Sequence, residues 1–197
     1  MNELTLDPRT TAIVVIDLQK GITQYPTVPF TAQTVIANAA QILAAARRAG
    51  AQPILVHVSL SVDGRDRLQS ISDQPMRATL TPPPDWADFV PELDRQPSDL
   101  EIVKRQWGAF YGTDLDMQLR HRGLSTIVLC GIATEAGVES TARDAYERGY
   151  HLVFASDAMA GIHAESHANA VERIFPRIGR VRTTQQILAA LEPSAGV

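Results

Sequence analysis

The strongest constraint on the fold is residues 125–150, which read as a strand, a tight turn and a helix. The first part, 126–130, is a short β-branched and apolar run, typical of a strand that is buried on both faces. Gly131 lets the chain turn, and after Thr134, which we expect to cap the helix, apolar residues recur at helical spacing as far as Gly149. At the carboxyl end of a parallel strand, such a turn presents free N–H groups and the positive end of a helix. We therefore expect the functional site at this turn.

The rest of the chain alternates between strand and helix patterns. Short apolar runs predict strands, and alanine-rich or periodic segments between them predict helices. A short helical piece is also possible at about 85–93. The alternation predicts an α/β fold, a three-layer doubly wound and mostly parallel six-stranded sheet in a single domain over 1–197. Besides the strand at 126–130, we predict strands at 11–16, 53–58, 100–103, 152–155 and 180–183, and helices at 34–49, 114–122, 165–175 and 184–191.

Composition and charge exclude several classes of protein. The net charge is −4, and the 18 lysines and arginines form no basic stripe, so we expect no nucleic-acid partner. One cysteine excludes an internal disulfide framework and fits a reducing compartment. No apolar run approaches the length of a membrane span and no secretory signal pattern is present, so we expect a cytoplasmic protein without membrane contacts.

Two charged residues follow buried strands and are the first candidates for chemistry. Asp17 ends the first strand, and Lys104 ends the third. Because the carboxyl ends of parallel strands meet at one edge of the sheet, we expect the two side chains to lie close together. Burial raises the pKa of a carboxyl group and a nearby ammonium lowers it, so the pair can poise Asp17 for proton transfer.

These residues also carry a resemblance to a known family. Asp-Leu-Gln at 17–19, Lys-Arg-Gln-Trp-Gly-Ala-Phe at 104–110 and Gly-Ile-Ala-Thr-Glu-Ala-Gly-Val-Glu-Ser-Thr-Ala at 131–142 resemble the isochorismatase-like hydrolase (cysteine hydrolase) superfamily. Arg-Asp-Ala at 143–145 and Ser-Asp-Ala at 156–158 extend the likeness, which runs from about 11 to about 191. The family includes nicotinamidases, carbamoyl-amide hydrolases and isochorismatases, and the resemblance implies a Rossmann-like fold.

One position departs from the amidase branches of that family. Those branches carry a nucleophilic cysteine six residues after the glycine that opens the 131–142 phrase, whereas this chain has Gly137 there. Isochorismatases also carry glycine at this position and work without a covalent intermediate. The resemblance therefore implies either a hydrolase without a nucleophile or a protein that has lost the family chemistry.

The resemblance also assigns roles to the residues of the turn. It implies a cis peptide bond between Ile132 and Ala133, and backbone N–H groups near Ala133 and Gly137 that form an oxyanion hole. We therefore expect Ala133 and Thr134 to contact substrate, with Gly137 providing space and an N–H group beside Asp17 and Lys104.

The resulting hypothesis is a hydrolase of a small molecule that cleaves a vinyl ether or an amide. Asp17 is the expected general acid and base, Lys104 sets its charge and orients substrate, and Gly137 completes the catalytic set. Trp107 and Phe110, in the loop after the third strand, are expected to wall the pocket, although either could lie in the core. The alternative is a catalytically silent member that binds a small molecule.

No cofactor or metal is expected. Cys130 lies within a strand and reads as a small buried hydrophobe rather than a nucleophile. His163 and His167 share a helix, but their spacing lacks the glutamate of the zinc-protease motif. Nicotinamidases hold a metal after the second strand, and the corresponding residues 56–59 contain no such cluster.

The proline-rich segment at about 61–97 is long for a loop in one domain. We expect a lid, an arm on a neighbouring subunit, or both, and hence a homodimer or homotetramer, as is frequent in the family. Arg65, Arg67 and Arg77 in this segment are typical of a solvated face, and one of them could reach an anionic substrate.

Overall fold

The computed structural model describes residues 4–73 and 82–192. Six strands alternate with helices along these ranges. The strands are Thr11–Ile16 (β1), Gln52–Val58 (β2), Leu100–Lys104 (β3), Thr126–Ile132 (β4), His151–Ala160 (β5) and Arg180–Arg182 (β6). The α-helices are Lys20–Thr23 (α1), Ala32–Ala49 (α2), Leu115–His121 (α3), Glu139–Glu147 (α4), Ala164–Asn169 (α5), Phe175–Ile178 (α6) and Thr184–Leu191 (α7). Short 3₁₀ turns occupy Pro8–Thr10 and Pro91–Leu93, and π-helical turns occupy Thr134–Val138 and Ala170–Ile174.

The strands form one parallel sheet in the order β3-β2-β1-β4-β5-β6. The order reverses at β1, which lies between β2 and β4, so the loops after these strands diverge and leave a crevice at their carboxyl ends. The predicted doubly wound sheet of six strands is confirmed, and it places the ends of β1, β3 and β4 at one edge.

Apolar side chains on both faces of the sheet explain why these runs become central strands. All six residues of β1 are buried, and alternate residues belong to two separate core clusters. One cluster packs the sheet against α2 and α7, and the other packs it against α3, α4 and α6. Continuous apolar runs are typical of strands that are covered on both sides by helices.

The helix after β4 begins differently from the prediction. Residues Thr134–Val138 form a π-helical turn that leads into α4, and the side chain of Thr134 makes no capping hydrogen bond. The predicted cap was wrong because the Thr134 hydroxyl instead bonds His167 Nδ1 at 2.9 Å. The helix predicted at 165–175 is likewise divided, with a π-helical turn between α5 and α6.

The described part of the proline-rich segment contains turns rather than the expected short helix. Within 85–93, turns are followed by the 3₁₀ turn Pro91–Leu93. Residues 85–90, which we call the docked segment, lie along the chain that follows β1: Val90 N–H donates to the Leu18 carbonyl at 3.1 Å, and Lys20 N–H donates to the Asp88 carbonyl at 2.9 Å. Arg77 lies outside the described residues. In the two described ranges, no helix combines the length and apolar character needed to cross a bilayer.

Candidate active site

Asp17 and Lys104 form a buried ion pair at the carboxyl edge of the sheet. Asp17 directly follows β1, and its N–H donates to the Val56 carbonyl of the neighbouring strand at 2.9 Å. Lys104 is the last residue of β3 and is 1% exposed. Its Nζ donates to Asp17 Oδ2 at 2.8 Å and to the Trp107 carbonyl at 2.5 Å. The sequence prediction that these two side chains meet is therefore confirmed.

The environment of Asp17 suits proton transfer. Burial raises the pKa of the Asp17 carboxyl to about 6, and the Lys104 ammonium opposes that rise by favouring the charged form. His57 also lowers the pKa of Asp17, by less than Lys104 does. The second oxygen, Oδ1, is buried and has no hydrogen-bond partner in the described part of the chain. An unpartnered carboxylate oxygen is costly to bury, so it is a natural acceptor for a proton or a water molecule.

Gly137 lies directly against this ion pair. A Cβ atom at this position would lie 3.1 Å from both Asp17 Oδ2 and Lys104 Nζ, and 2.8 Å from Ile16 Cγ2. The structure therefore brings together the three residues that the sequence predicted as catalytic. It also shows that a side chain at position 137 would project towards the carboxylate and the ammonium.

The turn that carries Gly137 starts at Ala133. The peptide bond between Ile132 and Ala133 is cis, as the resemblance implied. The Ala133 carbonyl accepts hydrogen bonds from the N–H groups of Ala136 and Val138, which closes the π-helical turn. Thr134 is fully buried, and its hydroxyl is engaged with His167, whose own pKa is lowered by burial. Thr134 therefore holds the turn against α5 with its side chain.

The two aromatic residues predicted to wall the pocket lie in different places. Trp107 is 56% exposed, and its carbonyl accepts a hydrogen bond from Lys104 Nζ. Trp107 therefore belongs to the rim of the site. Phe110 is 4% exposed and packs in the core against Tyr150, with ring centroids 5.8 Å apart. The structure does not bring Phe110 to the ion pair.

Gln19 has a role that the sequence analysis missed. Its side-chain amide donates to the Val58 carbonyl at 3.0 Å and to the Trp86 carbonyl at 3.2 Å, and its oxygen accepts from Val58 N–H at 2.8 Å. Gln19 thus joins the ends of β1 and β2 to the docked segment. The sequence did carry a signal, because Gln19 is part of the Asp-Leu-Gln motif that resembles the family.

Glu135 is a second residue that the sequence analysis missed. One carboxylate oxygen accepts from the N–H groups of Ile162 and His163 at 2.8 and 3.1 Å. The other oxygen occupies the position of a side chain at Gly161, since a Cβ there would lie 2.2 Å from it. Glu135 therefore fixes the turn to the loop after β5.

Cys130 is placed as predicted, inside the core. It is fully buried, and burial raises the pKa of its thiol to about 12. It belongs to the core cluster on the α2 side of the sheet, whereas Ile16, which touches Gly137, belongs to the opposite cluster. Cys130 is thus separated from the ion pair by the sheet itself.

Within 4–73 and 82–192, no group of three or more histidine, cysteine, aspartate or glutamate side chains is arranged to hold a metal ion. His57 lies in the 56–59 region that corresponds to the metal site of nicotinamidases. Its Nδ1 donates to the Ala87 carbonyl at 2.7 Å. Its Nε2 lies 3.0 Å from Glu101 Oε1, without hydrogen-bond alignment.

Comparison with known proteins gives the same family along the chain. Residues 11–186 match the model of the isochorismatase domain. The chain is 51% identical to the isochorismatase family protein YecD of Escherichia coli O157:H7 over 189 residues, which are 95% of this chain and 100% of the relative. It is 31% identical over 219 residues to the ureidoacrylate amidohydrolase RutB of Rhizobium rhizogenes, covering 98% of this chain and 87% of that protein.

A solved structure extends the comparison to three dimensions. An isochorismatase family protein from Burkholderia thailandensis superposes with a TM-score of 0.90 at 45% sequence identity, covering 98% of this chain and 100% of that chain. Together with the domain match, this likeness shows that the chain belongs to the isochorismatase family of hydrolases.

Proposed function

We propose that this protein hydrolyses a C–O or C–N bond of a small molecule, with Asp17 as general acid and base and without a cysteine nucleophile. One observation carries the proposal. The Asp17 carboxyl, with its raised pKa and a free Oδ1, lies beside the Cα of Gly137, where no nucleophilic side chain exists. Water is therefore the nucleophile, and Asp17 accepts and donates the proton that is transferred.

For a vinyl ether, Asp17 acts first as an acid. The protonated carboxyl transfers its proton to the terminal vinyl carbon, which produces an oxocarbenium ion. Water then adds to that ion, its proton returns to Asp17, and the resulting hemiketal breaks its C–O bond to release a ketone and an alcohol. With an enolpyruvyl ether, the ketone is pyruvate.

For an amide, Asp17 acts first as a base. The carboxylate removes a proton from water as the water oxygen attacks the carbonyl carbon, and the same proton is then given to the departing nitrogen. The products are a carboxylic acid and an amine or ammonia. The identity with RutB, whose name states an amidohydrolase activity, supports including ureidoacrylate among the test substrates.

Lys104 and the turn at 133–137 support both reactions. The Lys104 ammonium keeps Asp17 from becoming a permanently neutral acid, because it opposes the effect of burial. An ammonium group carries three N–H bonds, and two of them are directed at Asp17 and the Trp107 carbonyl. The third can donate to substrate. Backbone N–H groups of the turn are proposed to bind the negative charge that develops on a substrate oxygen.

The test is a direct assay of both bond types. Pyruvate release from isochorismate and ammonia release from ureidoacrylate and other small amides would be measured for wild type and Asp17→Asn. We expect turnover of one class, reduced by a factor of about 100 or more in the variant, which is the usual contribution of a general acid or base. Equal turnover by wild type and Asp17→Asn would refute the role of Asp17.

A silent binding protein is the competing function, and the missing side chain at position 137 favours it. It predicts saturable ligand binding without turnover. In that case, Asp17→Asn would alter the affinity for the ligand and no rate. Amide hydrolysis gained by Gly137→Cys would show that the surrounding residues still support the chemistry of the family.

A further inference from the structure

Trp86 lies in the docked segment with its indole ring against the backbone of Gly21. A Cβ atom at Gly21 would lie 2.1 Å from Trp86 Nε1, 2.2 Å from Cδ1 and 2.3 Å from Cε2. Three nearly equal distances to adjacent ring atoms mean that Gly21 faces the plane of the five-membered ring rather than its edge. The absence of a side chain at position 21 is therefore what lets the indole lie flat on the chain that follows Asp17.

Hydrogen bonds fix Trp86 at the same edge of the sheet as the ion pair. The Trp86 carbonyl accepts from Gly21 N–H at 2.9 Å and from Gln19 Nε2 at 3.2 Å. The same Gln19 side chain bonds both backbone groups of Val58, which is the register partner of Lys104. These contacts connect Trp86 to the carboxyl end of β2, beside the end of β3 at Lys104.

Ion pairs keep the docked segment in this position. Lys20 Nζ lies 3.0 Å from Asp85 and 3.4 Å from Asp88, on either side of Trp86 in the sequence. Each such surface pair contributes modestly, but here they add to three backbone hydrogen bonds between 18–21 and 86–90. The ring is consequently held in one place before any ligand arrives.

The indole N–H has no hydrogen-bond partner among residues 4–73 and 82–192, and Nε1 is not among the side-chain atoms sealed from solvent. Because this N–H lies in the plane of the ring, Gly21 does not block it. A tryptophan N–H at a half-buried position normally finds a partner. Here that donor is available to a ligand.

We propose that Trp86 is a substrate-binding residue that selects planar molecules with an acceptor oxygen. The face of the half-buried ring that does not pack on Gly21 stacks on a conjugated acyl or carboxyl group, and the indole N–H donates to its oxygen. This inference rests on the proposed function for the location of the site. It adds the class of substrate, which is an amide or carboxylate conjugated to a planar unsaturated group rather than one attached to a saturated group.

The chain's two tryptophans, Trp86 and Trp107, allow a direct test. Trp107→Phe leaves Trp86 as the sole tryptophan, and Trp86→Phe leaves Trp107. Benzamide and benzoate are the planar probes, and cyclohexanecarboxamide is the saturated control. We expect a saturable change of tryptophan fluorescence with a planar probe in Trp107→Phe, and a smaller change, at higher probe concentration, in Trp86→Phe. The saturated control should leave the fluorescence of both variants unchanged.

A glycine pair provides the matched control for ring placement. Gly21→Ala would displace the indole, whereas Gly108→Ala places a Cβ at an ordinary 3.6 Å from Ser140. We expect Gly21→Ala to weaken planar-probe binding at least threefold and Gly108→Ala to leave it unchanged. By calorimetry, Trp86→Phe, which keeps a ring but loses the N–H, should raise the Kd about three- to tenfold.

The proposal is overturned by three results. These are no saturable change in Trp107→Phe, the same affinity for benzamide and cyclohexanecarboxamide, or Trp86→Phe with wild-type affinity. None of these measurements requires turnover. Binding with the expected selectivity but no hydrolysis would therefore refute the proposed function while supporting the role of Trp86.

Discussion

The pH dependence of hydrolysis follows from the position of Asp17, and its direction identifies the reaction. With a carboxyl pKa of about 6, roughly one tenth of the enzyme carries ionised Asp17 at pH 5 and roughly nine tenths at pH 7. If Asp17 acts first as a base, kcat/KM rises about tenfold per pH unit up to about pH 6 and then levels. If it acts first as an acid, kcat/KM is level below pH 6 and falls about tenfold per unit above it. An amide substrate therefore predicts a rising profile, and a vinyl ether predicts a falling one.

Lys104 provides the control for this assignment. Its Nζ lies 2.8 Å from Asp17 Oδ2 and opposes the effect of burial on the carboxyl. Lys104→Met removes the charge with similar side-chain length, so the pKa of Asp17 and the inflection of the profile should both move above 6. The same variant leaves a carboxylate buried without its partner, which is expected to cost about 3–5 kcal/mol of stability. Activity must therefore be compared at a temperature where both proteins are folded.

The assay is kcat/KM for the best substrate between pH 4.5 and 8.5, in buffers of constant ionic strength. An inflection near pH 6 in wild type, moved upwards in Lys104→Met and absent from the residual activity of Asp17→Asn, is the expected result. A wild-type profile without an inflection between pH 5 and 7 would refute the argument. An inflection that persists in Asp17→Asn would assign it to another group.

Three further predictions follow from burial and packing. Gly137→Ala should lower the free energy of unfolding by about 1–3 kcal/mol in urea titrations, because its Cβ would lie 2.8 Å from the γ-methyl of Ile16, a β-branched side chain that has little freedom to move. A smaller loss would show that the backbone at 137 adjusts. Iodoacetamide should not modify Cys130 in the native protein, because the thiol is fully buried and its pKa is about 12; labelling faster than global unfolding, followed by mass spectrometry, would contradict this. Wild type should lose stability relative to Asp17→Asn as the pH rises from 4 to 6. Because the pKa of Asp17 is raised from 3.8 to about 6 in the folded protein, protonated Asp17 stabilises wild type by up to about 3 kcal/mol. This stabilisation is complete below about pH 3.8 and is lost as the pH rises through about 6. Urea midpoints of the two proteins that change in parallel with pH would contradict the prediction.

The sequence predicted the fold well because the signals that specify it are local. Buried parallel strands appear as continuous β-branched runs, and all six predicted strands are present, with ends that differ mainly at β5, which continues to Ala160. The π-helical turns at Thr134–Val138 and Ala170–Ile174 were not predicted. Thr134 at the start of the first turn bonds His167 of α5, and this contact between distant segments is not encoded by any local pattern.

The candidate site was predicted where residues at strand ends carry the chemistry, and missed where contacts between distant segments create it. Asp17, Lys104 and Gly137 could be placed together because parallel topology brings strand ends to one edge. Phe110 was predicted to wall the pocket but lies in the core, because the sequence does not show whether an aromatic residue in a loop turns towards the core. Trp86 was not considered at all, since its position depends on the packing of the docked segment against Gly21, 65 positions away in the chain.

The buried ion pair is itself an argument for function rather than stability. Desolvating two charges is costly, and replacing such a pair with well-packed apolar residues is often neutral or stabilising. In this protein the cost is increased, because one oxygen of Asp17 lacks a partner and the neighbouring Gly137 brings no side chain to supply one. A core selected for stability alone would satisfy that oxygen. An arrangement that leaves it without a partner, beside an ammonium and at the start of a helix, is suited to receiving a water molecule and a substrate oxygen, and that requirement explains why the two charges are kept together at this edge of the sheet.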